Sequence, residues 1–178
     1  MKYRKFRIDI MVALALLTVF ILVGGQIAYG RFFVERPLLN ELQSIPGVTT
    51  AKLEKTPAGH DIVLQISAVG NLPSVYQQAK DVARRNLSPD SFTLKIVDNR
   101  TPLLTELYWQ MQIHIEEAVV QGNFATVAER ISDLAATKGV SENFYVDEEC
   151  IYLELYQDET YLYAVRHRVP PQRRTVTT

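Results

Sequence analysis

The sequence predicts an α+β chain: an N-terminal transmembrane helix, an αββαβ module with a three-stranded sheet, and a helical hairpin followed by C-terminal antiparallel strands. Three observations predict it. Twenty residues, Ile10 to Tyr29, carry no charge and only Thr18 and Gln26 as appreciably polar side chains. Between residues 38 and 98 the apolar spacing changes from helical to alternating and back twice, and between 101 and 168 two helical stretches precede alternating ones.

The apolar run comes first. At about 1.5 Å rise per residue it is about 30 Å long, the thickness of a bilayer's hydrocarbon core, where a helix satisfies its own backbone hydrogen bonds. Lys2, Arg4, Lys5 and Arg7 precede it, whereas Arg31 and Arg36 follow with Glu35 between them. This asymmetry predicts a cytoplasmic N-terminus (1–9), a single span (10–30) and an extracytoplasmic remainder. A cleaved signal peptide is the competing reading. The run exceeds the roughly 7–15 apolar residues of such a peptide, and 24–30 offers no pair of small residues at peptidase spacing. Cys150 is too far along the chain for N-terminal lipidation.

Beyond the span, 47% apolar and 22% charged residues with a net charge of −1 suit an ordinary folded domain and give no basic excess for a nucleic-acid partner. The single cysteine, Cys150, cannot form an internal disulfide. It reads as a small buried apolar residue or, alternatively, as an intermolecular bridge.

Taken in order, Pro37 marks a break, and Leu38, Leu39 and Leu42 have helical spacing before Pro46 and Gly47 stop the helix. Val48 to Lys55 alternates, with Ala51 and Leu53 on one face and Thr50, Lys52 and Glu54 on the wet one. Thr56 to Gly59 turns the chain into a second strand, Asp61 to Val69, whose inner face carries Ile62, Leu64, Ile66 and Ala68. Asn71 to Ser74 caps a helix running to Leu87, with Val75, Ala79, Val82 and Ala83 inward and Lys80, Asp81, Arg84 and Arg85 outward. Phe92, Leu94 and Ile96 then alternate in a third strand. Both helices are expected on one side of the sheet.

This order of elements, with Leu42, Ile45, Gly47, Val48 and Ala51 entering the first strand and Ile96, Val97, Asp98 closing the last, resembles the ring-building motif. That motif occurs in the flagellar MS-ring protein, in type III secretion inner-ring lipoproteins and in sporulation-channel proteins. The resemblance covers residues 38–98 and implies side-by-side self-association in the membrane plane. The chain departs from the longer ring proteins in having a single module and no second transmembrane helix. A related metal-binding fold needs a Cys-x-x-Cys pair near the first loop, and no cysteine precedes Cys150.

Asp98 to Pro102 separates this module from a second α+β subdomain (101–168), with Thr101 as N-cap and Pro102 in the first turn. Leu104, Leu107, Tyr108, Met111, Ile115, Ala118 and Val119 stripe one helix to Val120, ended by Gly122. A second helix is expected to open between Asn123 and Thr126, where Thr126 and Glu129 have capping-box spacing, and to stop at Gly139. Asn143 to Val146, Cys150 to Tyr156 and Thr160 to Arg168 read as strands, and 169–178 as a flexible tail.

Chemistry is sparse. Glu106, Gln110, His114 and Glu117 share a helix face but lack a second histidine or cysteine to complete a metal shell. His60, in a hairpin turn, and His167, in the terminal strand, are expected to be exposed. Asp147, Glu148 and Glu149 read as a turn. Arg166, Arg168, Arg173 and Arg174 read as edge protection, or as a contact to anionic polymer or lipid. There is no phosphate loop, nucleophile elbow or zinc signature, so no enzyme activity and no cofactor are expected. The expectation is a membrane-anchored scaffold of a bacterial envelope that contacts itself or other envelope proteins through Lys52, Glu54 and Arg84. The alternative is a ligand- or polymer-binding module using a surface of Tyr152, Tyr156, Tyr161 and Tyr163.

Overall fold

A computed structural model describes residues 12, 14–22, 35–57, 59–68, 70–88 and 91–168. The basic N-terminus, about half of the predicted span and the C-terminal tail lie outside these residues. Within them the chain is mixed α+β, with five helices and two three-stranded sheets. The described part of the apolar run is helical over residues 14–22 (α1), and Thr18 Oγ1 donates to the Leu14 carbonyl at 2.9 Å, which satisfies its hydroxyl inside the helix. Among the described residues no helix is long and apolar enough to cross a membrane.

The first module follows the expected order: α2 (Arg36–Gln43), β1 (Val48–Thr56), β2 (Gly59–Ile66), α3 (Leu72–Asn86) and β3 (Phe92–Val97). β1 and β2 are antiparallel, and β3 returns parallel to β2 through α3, giving the order β1-β2-β3. Val48 and Ala51 are both buried although they are three residues apart, because a bulge at Thr49 inserts one residue into the ladder. Ala51, Ile62 and Leu64 form one core with Leu38 and Leu42 of α2 and Val75, Ala79, Val82 and Ala83 of α3. Both helices therefore cover the same face of the sheet. Asn71 caps α3 by accepting from the Ser74 N–H at 3.2 Å, a contact worth about 1 kcal/mol.

Two boundaries differ from the sequence reading. β2 starts at Gly59, so His60 belongs to the strand, opposite Lys55 and Phe92; it is half-buried, with Nδ1 unpartnered among the described residues. The approach of Ser91, just before β3, explains this: the His60 N–H donates to the Ser91 carbonyl at 2.7 Å, extending the ladder beyond Asp61. β2 also ends at Ile66, leaving Ala68 in a bend.

The second half comprises α4 (Pro102–Gln121), α5 (Phe124–Thr137), β4 (Ser141–Val146), β5 (Cys150–Gln157) and β6 (Thr160–His167). Thr101 caps α4 by accepting from the Leu104 N–H, and Gly122, at φ 74°, ends it in the left-handed conformation. α5 begins at Phe124 with Asn123 as N-cap, within the expected opening between Asn123 and Thr126. Asn123 makes no capping bond: its side-chain Nδ2 donates to Glu117 and Gln121 of α4, and its Oδ1 has no partner among the described residues. The strands pair antiparallel in the order β4-β5-β6.

β5 is buried on both faces, and this organises the molecule. Ile151, Leu153 and Leu155, with Leu162 of β6, pack on Leu104, Leu107, Met111, Ile115 and Ala118 of α4 and on Val127, Ile131 and Ala135 of α5. The other face, with Cys150, Tyr152 and Tyr163, belongs to the core of the first module. The second sheet is thus a middle layer between the αββαβ module and the helical hairpin. The Asp98–Pro102 segment is tied to it as well: Asp98 accepts from the Tyr163 N–H at 2.8 Å, and Asn99 bridges to Tyr161.

Candidate interaction surfaces

The open face of the first sheet is set by register. Lys52, Val63 and Lys95 lie in one row across the strands, and Glu54, Asp61 and Thr93 in the next. Lys52, Glu54 and Lys95 are exposed. Lys95 Nζ donates to Asp61 at 2.5 Å; that hydrogen bond, with the Coulombic pull of Asp61 and Glu54, raises the lysine above its ordinary pKa. The result is a flat polar face of alternating charge, formed by the two predicted contact residues of β1 and their neighbours.

Arg84 is placed differently. It lies on the flank of α3 that meets the second sheet, 3.7 Å from one Glu149 oxygen, while Lys80 donates to the other. The Lys80 bond is the main cause holding the Glu149 carboxyl below its usual pKa. Arg84, itself exposed, therefore borders an ion-pair cluster within the chain and lies off the open sheet face.

The four tyrosines form an internal interface, which corrects the reading of them as an open surface. Even-numbered positions of β5 point at the first module, so the tyrosine face meets the β2–α3 loop and α3. Tyr152 and Tyr163 are buried; Tyr156 and Tyr161 are half-buried and pack on the first core. The Tyr163 hydroxyl donates to the Ser67 carbonyl at 2.9 Å, and the Gly70 N–H donates to the Tyr156 hydroxyl at 3.0 Å. Beside them sits Glu154, the one fully buried charged-type side chain among the described residues. It accepts from the Leu72 N–H in the first turn of α3, from Asn143 Nδ2 at 2.9 Å and from the Tyr156 hydroxyl at 2.8 Å. A carboxyl group at a helix N-terminus meets unsatisfied N–H groups and the positive end of the helix dipole. In the sequence Glu154 looks like an outward position of an amphipathic strand; nothing local distinguishes it.

Further along α3, Asp147 accepts from Gln77 Nε2 at 3.0 Å, from the Tyr152 hydroxyl at 2.7 Å and from the N–H groups of Glu149 and Cys150. Partial burial pushes its carboxyl upward, but these four donors outweigh that effect and leave it below the usual range. The expected turn at 147–149 is thus a clasp on α3. His167 is half-buried, which corrects its reading as exposed: Nδ1 is 3.3 Å from Cys150 Sγ and Nε2 is 3.4 Å from the Tyr76 hydroxyl. Burial pushes the Cys150 thiol up and His167 down, so both are neutral near pH 7. A neutral thiol with no exposed surface is a packing residue, not a nucleophile.

On α4, Glu117 accepts from Arg130 Nη1 at 3.1 Å and from Asn123, and His114 lies 3.8 Å from Glu117. Among the described residues no group of three or more His, Cys, Asp or Glu side chains is placed to hold a metal.

A surface that the apolar stripe of α4 concealed lies on its opposite side. Trp109, Ile113 and Val120 are 65%, 72% and 85% exposed. They recur at intervals of four and seven residues and share the face turned away from Leu107, Met111 and Ala118. The signal is present in the sequence as a second, narrower helical stripe, overshadowed by the inner one.

No protein-family model and no curated protein matches this chain.

Proposed function

We propose that the chain is a single-pass, N-in membrane protein whose extracytoplasmic α+β domain acts as an assembly scaffold of a bacterial envelope, docking copies of itself or other envelope proteins through its αββαβ module. The observation that carries the reading is α1. Leu14, Leu16, Leu17, Val19, Phe20, Ile21 and Leu22 are 54–76% exposed, a run of large apolar side chains for which a bilayer is the fitting solvent. The basic residues before the run favour a cytoplasmic N-terminus. The αββαβ order and the flat charged face of β1-β2-β3 suit side-by-side contact, as the resemblance to the ring-building motif implies. The ligand-binding alternative loses its support, since its tyrosines are occupied inside the molecule.

The test is expression of the full chain in a bacterium. Retention in membranes after alkaline extraction, with the C-terminal domain cleaved only by protease added outside the inner membrane, is the expected result. Release into the soluble fraction refutes the anchor. Loss of copy-to-copy cross-linking on Lys52→Glu supports assembly through the sheet face; unchanged cross-linking refutes that face.

A further inference from the structure

We infer that the outer face of α4 is a self-contact, on which a second copy of this chain docks its own α4 antiparallel across a two-fold axis. The proposal goes beyond the module-based scaffold reading, because α4 lies outside residues 38–98.

Three arguments select a second copy as the occupant. The first is pattern. In an antiparallel pair centred between His114 and Ile115, bulky Trp109 faces small Val120 of the second copy, and vice versa. The two Ile113 side chains then flank the axis, within about 5 Å of each other along the helix direction. A large residue against a small one at both ends keeps the helices evenly spaced, and such an isologous contact needs only one self-complementary patch.

The second argument is charge. Like carboxylates would ordinarily oppose pairing of two copies of one face. Here Glu116 is held by Arg166 at 2.7 and 3.1 Å, and Glu117 by Arg130 at 3.1 Å. Arg166, chiefly through its hydrogen bond, pulls the Glu116 carboxyl below its usual range. Two carboxylates bordering the stripe, Glu116 and Glu117, are therefore paired within each copy before docking, which lowers the like-charge cost of bringing two copies of this face together.

The third is area. From their exposures, Trp109, Ile113 and Val120 offer about 400 Å² of surface per copy. Two copies remove about 800 Å² from water, and bordering residues such as Glu106, Gln110 and Gln112 add to this. The total approaches the roughly 1,200 Å² at the lower edge of specific interfaces. A dimer of this size is weak in dilute solution and gains when both copies are confined together. Each end carries a tryptophan, the residue type most often dominant at such contacts.

Trp109 is the only tryptophan, so the chain carries its own reporter. The full chain is diluted in micelles, in vesicles or, if it proves soluble, in buffer; the reading therefore does not depend on the anchor. The expected result is Trp emission that moves to longer wavelength and becomes more quenchable by acrylamide on dilution. Val120→Glu, at an exposed position, should lower the association constant about tenfold or more while leaving the circular dichroism unchanged. Ile113→Cys should cross-link copy to copy with a short thiol reagent, since Cys150 is buried and does not compete. Emission independent of dilution with no Ile113→Cys cross-link overturns the proposal. So does a short-wavelength emission at every dilution that brominated lipid quenches, which would make the bilayer the occupant. Dimerisation lost with Val120→Glu in a chain that is not membrane-bound would refute the anchor and leave this contact standing.

Discussion

Replacing Glu154 by alanine is expected to be among the most damaging single changes in the domain, and its size follows from the contacts. The side chain accepts from Leu72 N–H, Asn143 Nδ2 and the Tyr156 hydroxyl in a site closed to water. The Leu72 N–H lies in the first helical turn and has no intrahelical acceptor, so it bears a full penalty of about 1–3 kcal/mol. The other two donors lose less: the Tyr156 hydroxyl lies 3.4 Å from that of Tyr163, and Asn143 is only half-buried, so its amide can reach water. With the cavity left behind, Glu154→Ala should cost about 3–5 kcal/mol, a large share of a typical domain's stability. Glu154→Gln keeps one oxygen for Leu72, and Asn143 and Tyr156 can reverse their polarity to meet its amide, so about 1–2 kcal/mol is expected. Urea unfolding followed by circular dichroism measures both, and amide exchange at Leu72 should accelerate in both. A loss under about 1 kcal/mol for Glu154→Ala would refute the view that this carboxyl fastens the second sheet to α3.

Gly59→Ala should destabilise by about 2–4 kcal/mol in the same unfolding assay, because at φ +135° the added Cβ meets the Ser91 carbonyl oxygen at 2.2 Å, backbone that cannot step aside. Stability should also fall on acidification. Asp147, Glu149 and Glu116 have lowered folded-state pKa values, so their contributions are full above the unfolded values near 4 and are lost as pH drops through the folded ones. Asp147→Asn should flatten that acid limb in urea titrations at stepped pH. Arg84→Glu and Lys52→Glu, equal in charge change, should separate: the first opens the Glu149 cluster and lowers stability, whereas the second leaves stability within about 0.5 kcal/mol and alters only contacts between copies. Equal melting behaviour of the two variants counts against the assignment of Arg84 to that cluster.

Much of this architecture was legible in the sequence because short-range physics decides it. Alternation placed Ala51, Ile62 and Leu64 inward, Asn71 and Thr101 announced two helix starts, and Gly122 announced a stop. The misreadings share one cause, contact between segments far apart in the chain. Tyr152, Tyr156, Tyr161 and Tyr163 alternate as an amphipathic wall should, and alternation shows that one face differs from the other without saying what covers it. The cover includes Ser67, Gly70 and Leu72, 82 to 96 residues away in sequence from their partners. The chemistry of that interface has a consequence for any assembly the chain enters. Apolar contacts alone tolerate sliding, whereas the Ser67, Gly70 and Leu72 hydrogen bonds are directional and fix one register between the two halves. The charged sheet face of the first half and the apolar helix face of the second are thereby held at a defined angle, so contacts made through each would point growth in a set direction instead of leaving it to chance.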